Sequence, residues 1–197
     1  MRYHAEHKQK TRERVLSVAA RAIRGEGPQR IGVAGVMRQA GLTHGGFYAH
    51  FASKDALVAA AIARMFEDAL AYWDRCTQGR SDAQALCAYI DRYLSMAHRD
   101  APDRGCPIAA LASDLPRLDT ATRAAFSAGS GRLAGSLAQP LRRLGHDDAD
   151  TLADSLLAEL VGALTLARCE PDSDRAALRL DASRRQLLRR LHLENPT

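Results

Sequence analysis

Apolar residues return every three or four positions along this chain, and no alternating run exceeds a few residues, so the pattern predicts helices and no sheet. Leu16, Ala19, Ala20 and Ile23 fall at i, i+3, i+4 and i+7 of a first helix over residues 8–25, which Gly27-Pro28 stops. Val33, Val36, Met37 and Ala40 repeat the spacing in a short second helix, and Gly41 follows where a left-handed cap residue is wanted. Thr43 is placed to N-cap a third short helix through Phe51. Ser53 is placed to cap a long fourth, with Val58, Ile62, Met65, Ala69 and Trp73 in one stripe. Ser81 and Gln84 form a capping box that opens a helix running to His98. A loop over 99–105 leads to a short helix from Pro107, followed by helices over 119–145, 148–168 and 174–193. The expectation is an all-α chain of about nine helices.

Composition adds a partner class. The chain has 197 residues, 46% hydrophobic and 26% charged, which is globular rather than disordered. No apolar run approaches the roughly 18 residues that span a membrane. The opening MRYHAEHKQKTRER carries no apolar segment behind its charges, so no secretory signal is read and a cytoplasmic protein is expected. Residues 1–55 hold ten Lys/Arg against four Asp/Glu, a net of +6, while residues 56–197 hold eighteen against nineteen, a net of −1. The excess suggests a polyanion-binding module over 1–55 attached to a near-neutral body over 56–197, although a solvated basic face fits charge alone equally well.

Two short helices joined at Gly41-Leu42 make a helix-turn-helix candidate, whose second helix would enter the DNA major groove. Its content sharpens the reading. Phe47 and Phe51, four apart, can anchor one face, leaving His44, Tyr48, Gly45 and Gly46 elsewhere. Each glycine costs a helix about 1 kcal/mol relative to Ala, and close approach to DNA is a reason to keep it; a poorly formed turn is the bland alternative. Thr43 with its first-turn amides, Tyr48, His50 and Lys54 can meet phosphates, and His44 is best placed for a base edge. Lys8, Lys10, Arg12 and Arg14 can add backbone contacts or simply be solvated.

On these residues the chain resembles the TetR family over 10–57. The resemblance lies in the Arg12–Leu16 opening of the first helix, the Val33–Leu42 second helix, and T-H-G-G-F-Y-A-H-F-A-S-K-D-A-L from Thr43 to Leu57. Gly32 departs from it, standing at a cap where the family usually has Ser or Thr; glycine is an acceptable cap. The resemblance implies a repressor that binds palindromic operator DNA as a two-fold dimer. It also implies an all-helical C-terminal domain that takes a small-molecule inducer and dimerises through its last two long helices, here residues 148–193.

In the body, Leu152, Leu156, Leu160 and Leu164 recur at four, and Leu180, Leu187, Leu188 and Leu191 continue at helical spacing. An internal core stripe fits this pattern; so does a four-helix dimer interface, which the resemblance and a palindrome reader's need to dimerise favour. Met65, Trp73, Tyr89, Tyr93, Met96 and Phe126 are candidate walls of a ligand pocket, each of which also fits plain core. Arg104-Gly105-Cys106-Pro107 puts a thiol at a helix cap near cationic side chains, a setting in which thiols ionise readily. Cys106 is therefore both a pocket candidate and a candidate sensor of oxidants or electrophiles, against the reading of a small buried filler. Some TetR-type regulators with Gly-Cys at this place are electrophile sensors. The other cysteines, Cys76, Cys87 and Cys169, are expected as free packing thiols, since none of the four forms a C-x-x-C pair.

No catalytic triad, phosphate loop or metal cluster is legible, so no enzyme, metal or cofactor is expected. His4-x-x-His7 and the pair His44 and His50 lack further ligands, and Gly45-Gly46 lacks the ending of a phosphate loop. The competing reading is a sequence-indifferent architectural DNA-binding protein.

Overall fold

The computed structural model describes residues 2–193, with side chains from residue 6. Among these residues the chain forms nine α-helices and no strand. They are α1 (Arg2–Glu26), α2 (Val33–Gln39), α3 (Lys54–Thr77), α4 (Asp82–Tyr93), α5 (Met96–Arg99), α6 (Pro107–Leu111), α7 (Thr120–Arg143), α8 (Ala149–Arg168) and α9 (Ser173–Arg190). Tight 3-10 turns lie at His44–Ala49, Pro102–Arg104 and Leu115–Arg117.

Local chemistry explains most boundaries. Gly41 takes φ +69°. The Gly41 N–H donates to the Arg38 carbonyl at 3.0 Å and the Leu42 N–H to the Met37 carbonyl at 2.9 Å. These paired bonds satisfy the last carbonyls of α2 and turn the chain sharply. Ser53 Oγ accepts from the Ala56 N–H at 3.1 Å to open α3, and Ser81 and Gln84 form the full capping box of α4.

Three expectations change. The first helix begins at Arg2, ahead of residue 8, because its polar first turns carry no apolar period to read. The element from Thr43 is a 3-10 turn rather than an α-helix, and the Thr43 side chain makes no cap bond; paired glycines weaken an α-helix there. The helix from Ser81 ends at Tyr93 instead of reaching His98, since Ser95 Oγ accepts the His98 N–H at 3.2 Å and starts α5 anew.

Side chains gather in two hydrophobic clusters. The first takes Val15 to Ile23 of α1, Val36 and Met37 of α2, Phe47, Phe51, the first half of α3 through Phe66, and Leu111 of α6. The second takes Trp73 of α3 with α4, α7, α8 and α9. Helix α3, 24 residues and so about 36 Å long, runs through both. The leucine stripe of the last two helices lies inside this chain: Leu156, Leu160, Leu164 and Leu187 are fully buried and Leu180, Leu188 and Leu191 nearly so. A helical period reports burial but not which surface buries it; here α8 and α9 cover each other, α7 covers α8, and α4 packs on both. What α8 and α9 leave exposed is Leu166 at 54% and Leu178 at 66%.

Candidate nucleic-acid interface and internal cavity

Phe47 and Phe51 fix the 3-10 element. Their rings stack at 5.7 Å, both nearly fully buried, and the Arg12 guanidinium of α1 lies 5.1 Å from the centre of the Phe51 ring. The opposite face is open: Thr43, His44 and Gly45 are exposed, and Tyr48 is 71% exposed. Gly46, His50 and Lys54 are half-buried. Lys54 Nζ donates to the Gln29 carbonyl at 3.0 Å, tying α3 to the loop before α2. His50 Nδ1 is buried with no hydrogen-bond partner. Burial, then the charges of Lys8 and Arg12, push the His50 pKa down, so α1 brings two cations beside this ring.

Neither glycine is demanded by the fold. A Cβ on Gly45 would meet nothing within 4 Å, and one on Gly46 only Met37 Cε at 3.8 Å and Thr43 Oγ1 at 3.9 Å, ordinary contact distances. The face is bare by composition and not by internal crowding.

A second site lies inside the body. A cavity of about 640 Å³ opens among α3, α4, α5 and the loop before α6. Its walls include Tyr72, Tyr89, Tyr93, His98, Gly105 and Cys106, together with Arg24, which reaches it from α1. Of the candidate walls, Tyr89, Tyr93 and Cys106 line this cavity. Trp73 packs behind Tyr89 with ring centres 5.0 Å apart, and Met96 packs against the second cluster. Met65 is buried in the first cluster, and Phe126 meets Phe66 edge-on at 5.3 Å beside it.

His98 organises the loop at the cavity wall. Its Nδ1 lies 2.8 Å from the Tyr93 carbonyl, and the Cys106 N–H donates to its Nε2 at 3.1 Å. Arg99 and Arg168 fasten the same loop to α8. Arg99 donates to the carbonyls of Ala167 at 2.9 Å and Glu170 at 2.6 Å, and Arg168 donates to the His98 carbonyl at 3.1 Å. A Cβ on Gly105 would stand 2.6 Å from Arg168 Nη2 and 2.9 Å from His98 Nε2, so any other residue there would displace one or both of these side chains. Burial, and then Cys106, hold the Tyr89 and Tyr93 phenols well above the usual tyrosine range.

Sequence reasoning missed Arg24, although a signal existed. Arg24 stands four residues after Ala20 and eight after Leu16, on the apolar stripe of α1. Tyr72, Arg75 and Arg92 carried no comparable signal; only the folded chain brings them together. Among the described residues no group of three metal-ligating side chains converges; the His4 side chain lies outside them. No helix among them is long and apolar enough to cross a membrane.

An N-terminal helix-turn-helix carried on a helical body is the architecture of a DNA-binding transcription regulator. The comparisons agree. Residues 15–61 match the family model described as bacterial regulatory proteins, tetR family. Residues 83–180 match the C-terminal domain of LmrA/YxaF-like transcriptional regulators. A TetR-family regulator from Agrobacterium tumefaciens superposes with a TM-score of 0.78 at 25% identity, over 93% of this chain and 98% of that one. A TetR regulator from Chloroflexus aurantiacus gives 0.76 at 26% identity, over 95% and 96%. The reduced form of NemR from E. coli gives 0.77 at 23% identity, over 91% and 97%. A comparison with curated protein sequences finds no match. The chain belongs to the TetR family of transcriptional regulators.

Proposed function

We propose that this regulator is a ligand-responsive repressor that holds palindromic operator DNA as a homodimer. One observation carries the reading: α1 serves both sites, with Arg12 bracing Phe51 under the exposed 3-10 element and Arg24 walling the cavity. A ligand that binds one placement of α1 better than another changes DNA affinity by that difference. His44 reads a base edge, the bare Gly45-Gly46 face admits the DNA backbone, and Thr43, Tyr48, His50 and Lys54 contact phosphates. The dimer forms through residues 148–193, with Leu166 and Leu178 as the exposed apolar contacts. The paired elements then enter grooves about 34 Å apart, or a multiple of that.

Fluorescence anisotropy of the DNA upstream of its own gene, with excess unrelated duplex as competitor, tests this. Binding that survives competitor and falls in Tyr48→Ala supports the repressor. Binding that any duplex abolishes supports a sequence-indifferent architectural protein instead. A second reading concerns Cys106, buried at the cavity wall and within reach of an entering molecule. An electrophile with an activated carbon–carbon double bond adds the thiol across it, sulfur bonding to one carbon and the thiol proton passing to the other; hydrogen peroxide oxidises the same sulfur to a sulfenic acid with release of water, and DNA affinity changes with either. That reading fails if Cys106→Ser responds to such reagents as the wild type does.

A further inference from the structure

Two residues of the cavity wall carry buried donors without partners. Arg24 Nε and the Tyr93 hydroxyl have no hydrogen-bond acceptor in the protein, although both side chains are more than nine-tenths buried. The rest of the Arg24 guanidinium is weakly held: Nη2 donates to the Met65 carbonyl at 3.3 Å and stands 3.9 Å from Asp68. Leaving such donors unmade costs about 1–3 kcal/mol each, more for a charged group. Arg24 and Tyr93 both line the one cavity, together with Cys106.

The charge around them is net positive. Arg24, Arg75, Arg92 and Arg104 line the cavity against two carboxylates, Asp68 and Asp91. Both carboxylates are engaged by arginines outside it, Asp68 by Arg64 at 2.8 Å and Asp91 by Arg184 at 2.6 Å. The remaining wall is aromatic: Tyr72 and Tyr89 lie 6.4 Å apart and Tyr89 and Tyr93 5.8 Å apart, centre to centre. A cation would meet net positive charge here, and a neutral apolar ligand would bring no counter-charge to Arg24.

We infer that the cavity takes a small aromatic carboxylate, its ring against the tyrosines and its charged oxygens received by Arg24 beside Tyr93. The inference rests on the ligand-responsive reading and names its ligand class. It also gives the ligand a direct handle on DNA binding, because Arg24 is carried by α1 and a carboxylate competes with the Met65 carbonyl for its guanidinium. Arg24 is then a ligand-binding residue supplied by the helix that braces the DNA-facing element.

Calorimetric titration of the full-length protein with 2-naphthoate and its uncharged isostere 2-naphthamide tests it. Naphthoate is expected to bind about tenfold tighter or more, equivalent to about 1.4 kcal/mol. Arg24→Gln is expected to abolish that preference, and Tyr93→Phe to weaken naphthoate severalfold with little change in Tm. Equal binding of the two probes, no naphthoate binding at millimolar concentration, or a preference that survives in folded Arg24→Gln would each overturn the inference. If Arg24→Gln does not fold, the wild-type comparison and Tyr93→Phe decide. Anisotropy with operator DNA separates the two layers: naphthoate bound as expected without altering DNA affinity keeps the ligand class and removes the ligand-responsive repressor.

Discussion

The Cys106 backbone N–H donates to His98 Nε2 at 3.1 Å, and this bond fixes the chemistry of the imidazole. A backbone N–H can only donate, so Nε2 carries a lone pair. The Tyr93 carbonyl can only accept, so Nδ1, 2.8 Å away, carries the proton. His98 is therefore neutral in a single tautomer, and protonating it would set Nε2–H against the Cys106 N–H. The cap of α6 and the position of the Cys106 thiol both depend on that neutrality.

A pH dependence of stability follows. Burial, chiefly, and the Arg168 charge lower the His98 pKa, while the Tyr93 carbonyl opposes them. In the unfolded chain the pKa returns to about 6.5. Between the lowered folded value and about 6.5 the unfolded state binds more protons, so stability rises with pH across that window. The contribution is fully present above about pH 6.5 and is lost as pH falls towards the folded pKa. Wild-type Tm is expected to drop from pH 7.5 to pH 5.5 by more than that of His98→Ala, in which the other titrating groups remain. His98→Ala itself is expected to cost about 1–3 kcal/mol at pH 7.5 by stranding buried backbone groups. Parallel Tm profiles for the two proteins would refute the assignment.

Gly45 separates folding from DNA contact. Nothing lies within 4 Å of a Cβ there, so Gly45→Ala is expected to fold with stability unchanged or raised, by up to about 1 kcal/mol. If the bare face approaches DNA, the added methyl weakens operator binding by about tenfold or more, about 1.4 kcal/mol. Thermal melts and anisotropy on the same samples read both quantities. Undiminished operator binding would mean that this face is not apposed to DNA.

Gly129 presents the opposite case within α7. A Cβ there would overlap the Phe66 ring of α3, whereas one on Gly131 would meet nothing within 4 Å. Overpacking of this kind costs about 1–3 kcal/mol. Gly129→Ala should therefore lower the urea midpoint, Gly131→Ala should leave it level or raise it, and Phe66→Leu should recover much of the Gly129→Ala loss. Equal midpoints for the two alanine variants would mean that α3 and α7 are not in this close contact.

These contrasts mark what the sequence could convey. The Gly41 turn and the Ser81-Gln84 box were legible because the residues that cap a helix end lie within a few positions of it. The exposed face around Tyr48 was legible because Phe47 and Phe51 fix which side is buried. The leucines of α8 were ambiguous, since their period is the same whether α7 or a second chain covers them. The cavity was legible only at Tyr89, Tyr93 and Cys106, because its arginines come from α1, α3, α4 and the turn before Gly105 and share no local pattern.

An ion pair joins α1 to the cavity loop: Arg21 donates to Asp103 Oδ2 through Nε at 3.1 Å and Nη2 at 2.7 Å. Arg21 is the chief cause of the lowered Asp103 pKa. Both side chains are solvent-accessible, 57% and 35%, so the pair should add no more than about 1 kcal/mol to global stability. Its local effect is larger in kind, because Asp103 sits in the 3-10 turn two residues before Gly105. That turn is held by long bonds, from the Arg104 N–H to the Ala101 carbonyl at 3.2 Å and from the Gly105 N–H to the Pro102 carbonyl at 3.4 Å. Regions held this weakly open well below the global unfolding free energy. Arg21→Ala is therefore expected to speed hydrogen exchange at Arg104 and Gly105 with Tm nearly unchanged. Asp103→Ala should reproduce the effect, and the double variant should add little to either, since both remove the same interaction. Additive exchange rates in the double variant, or protection unchanged in the singles, would show that α1 and the cavity loop are held together by other contacts.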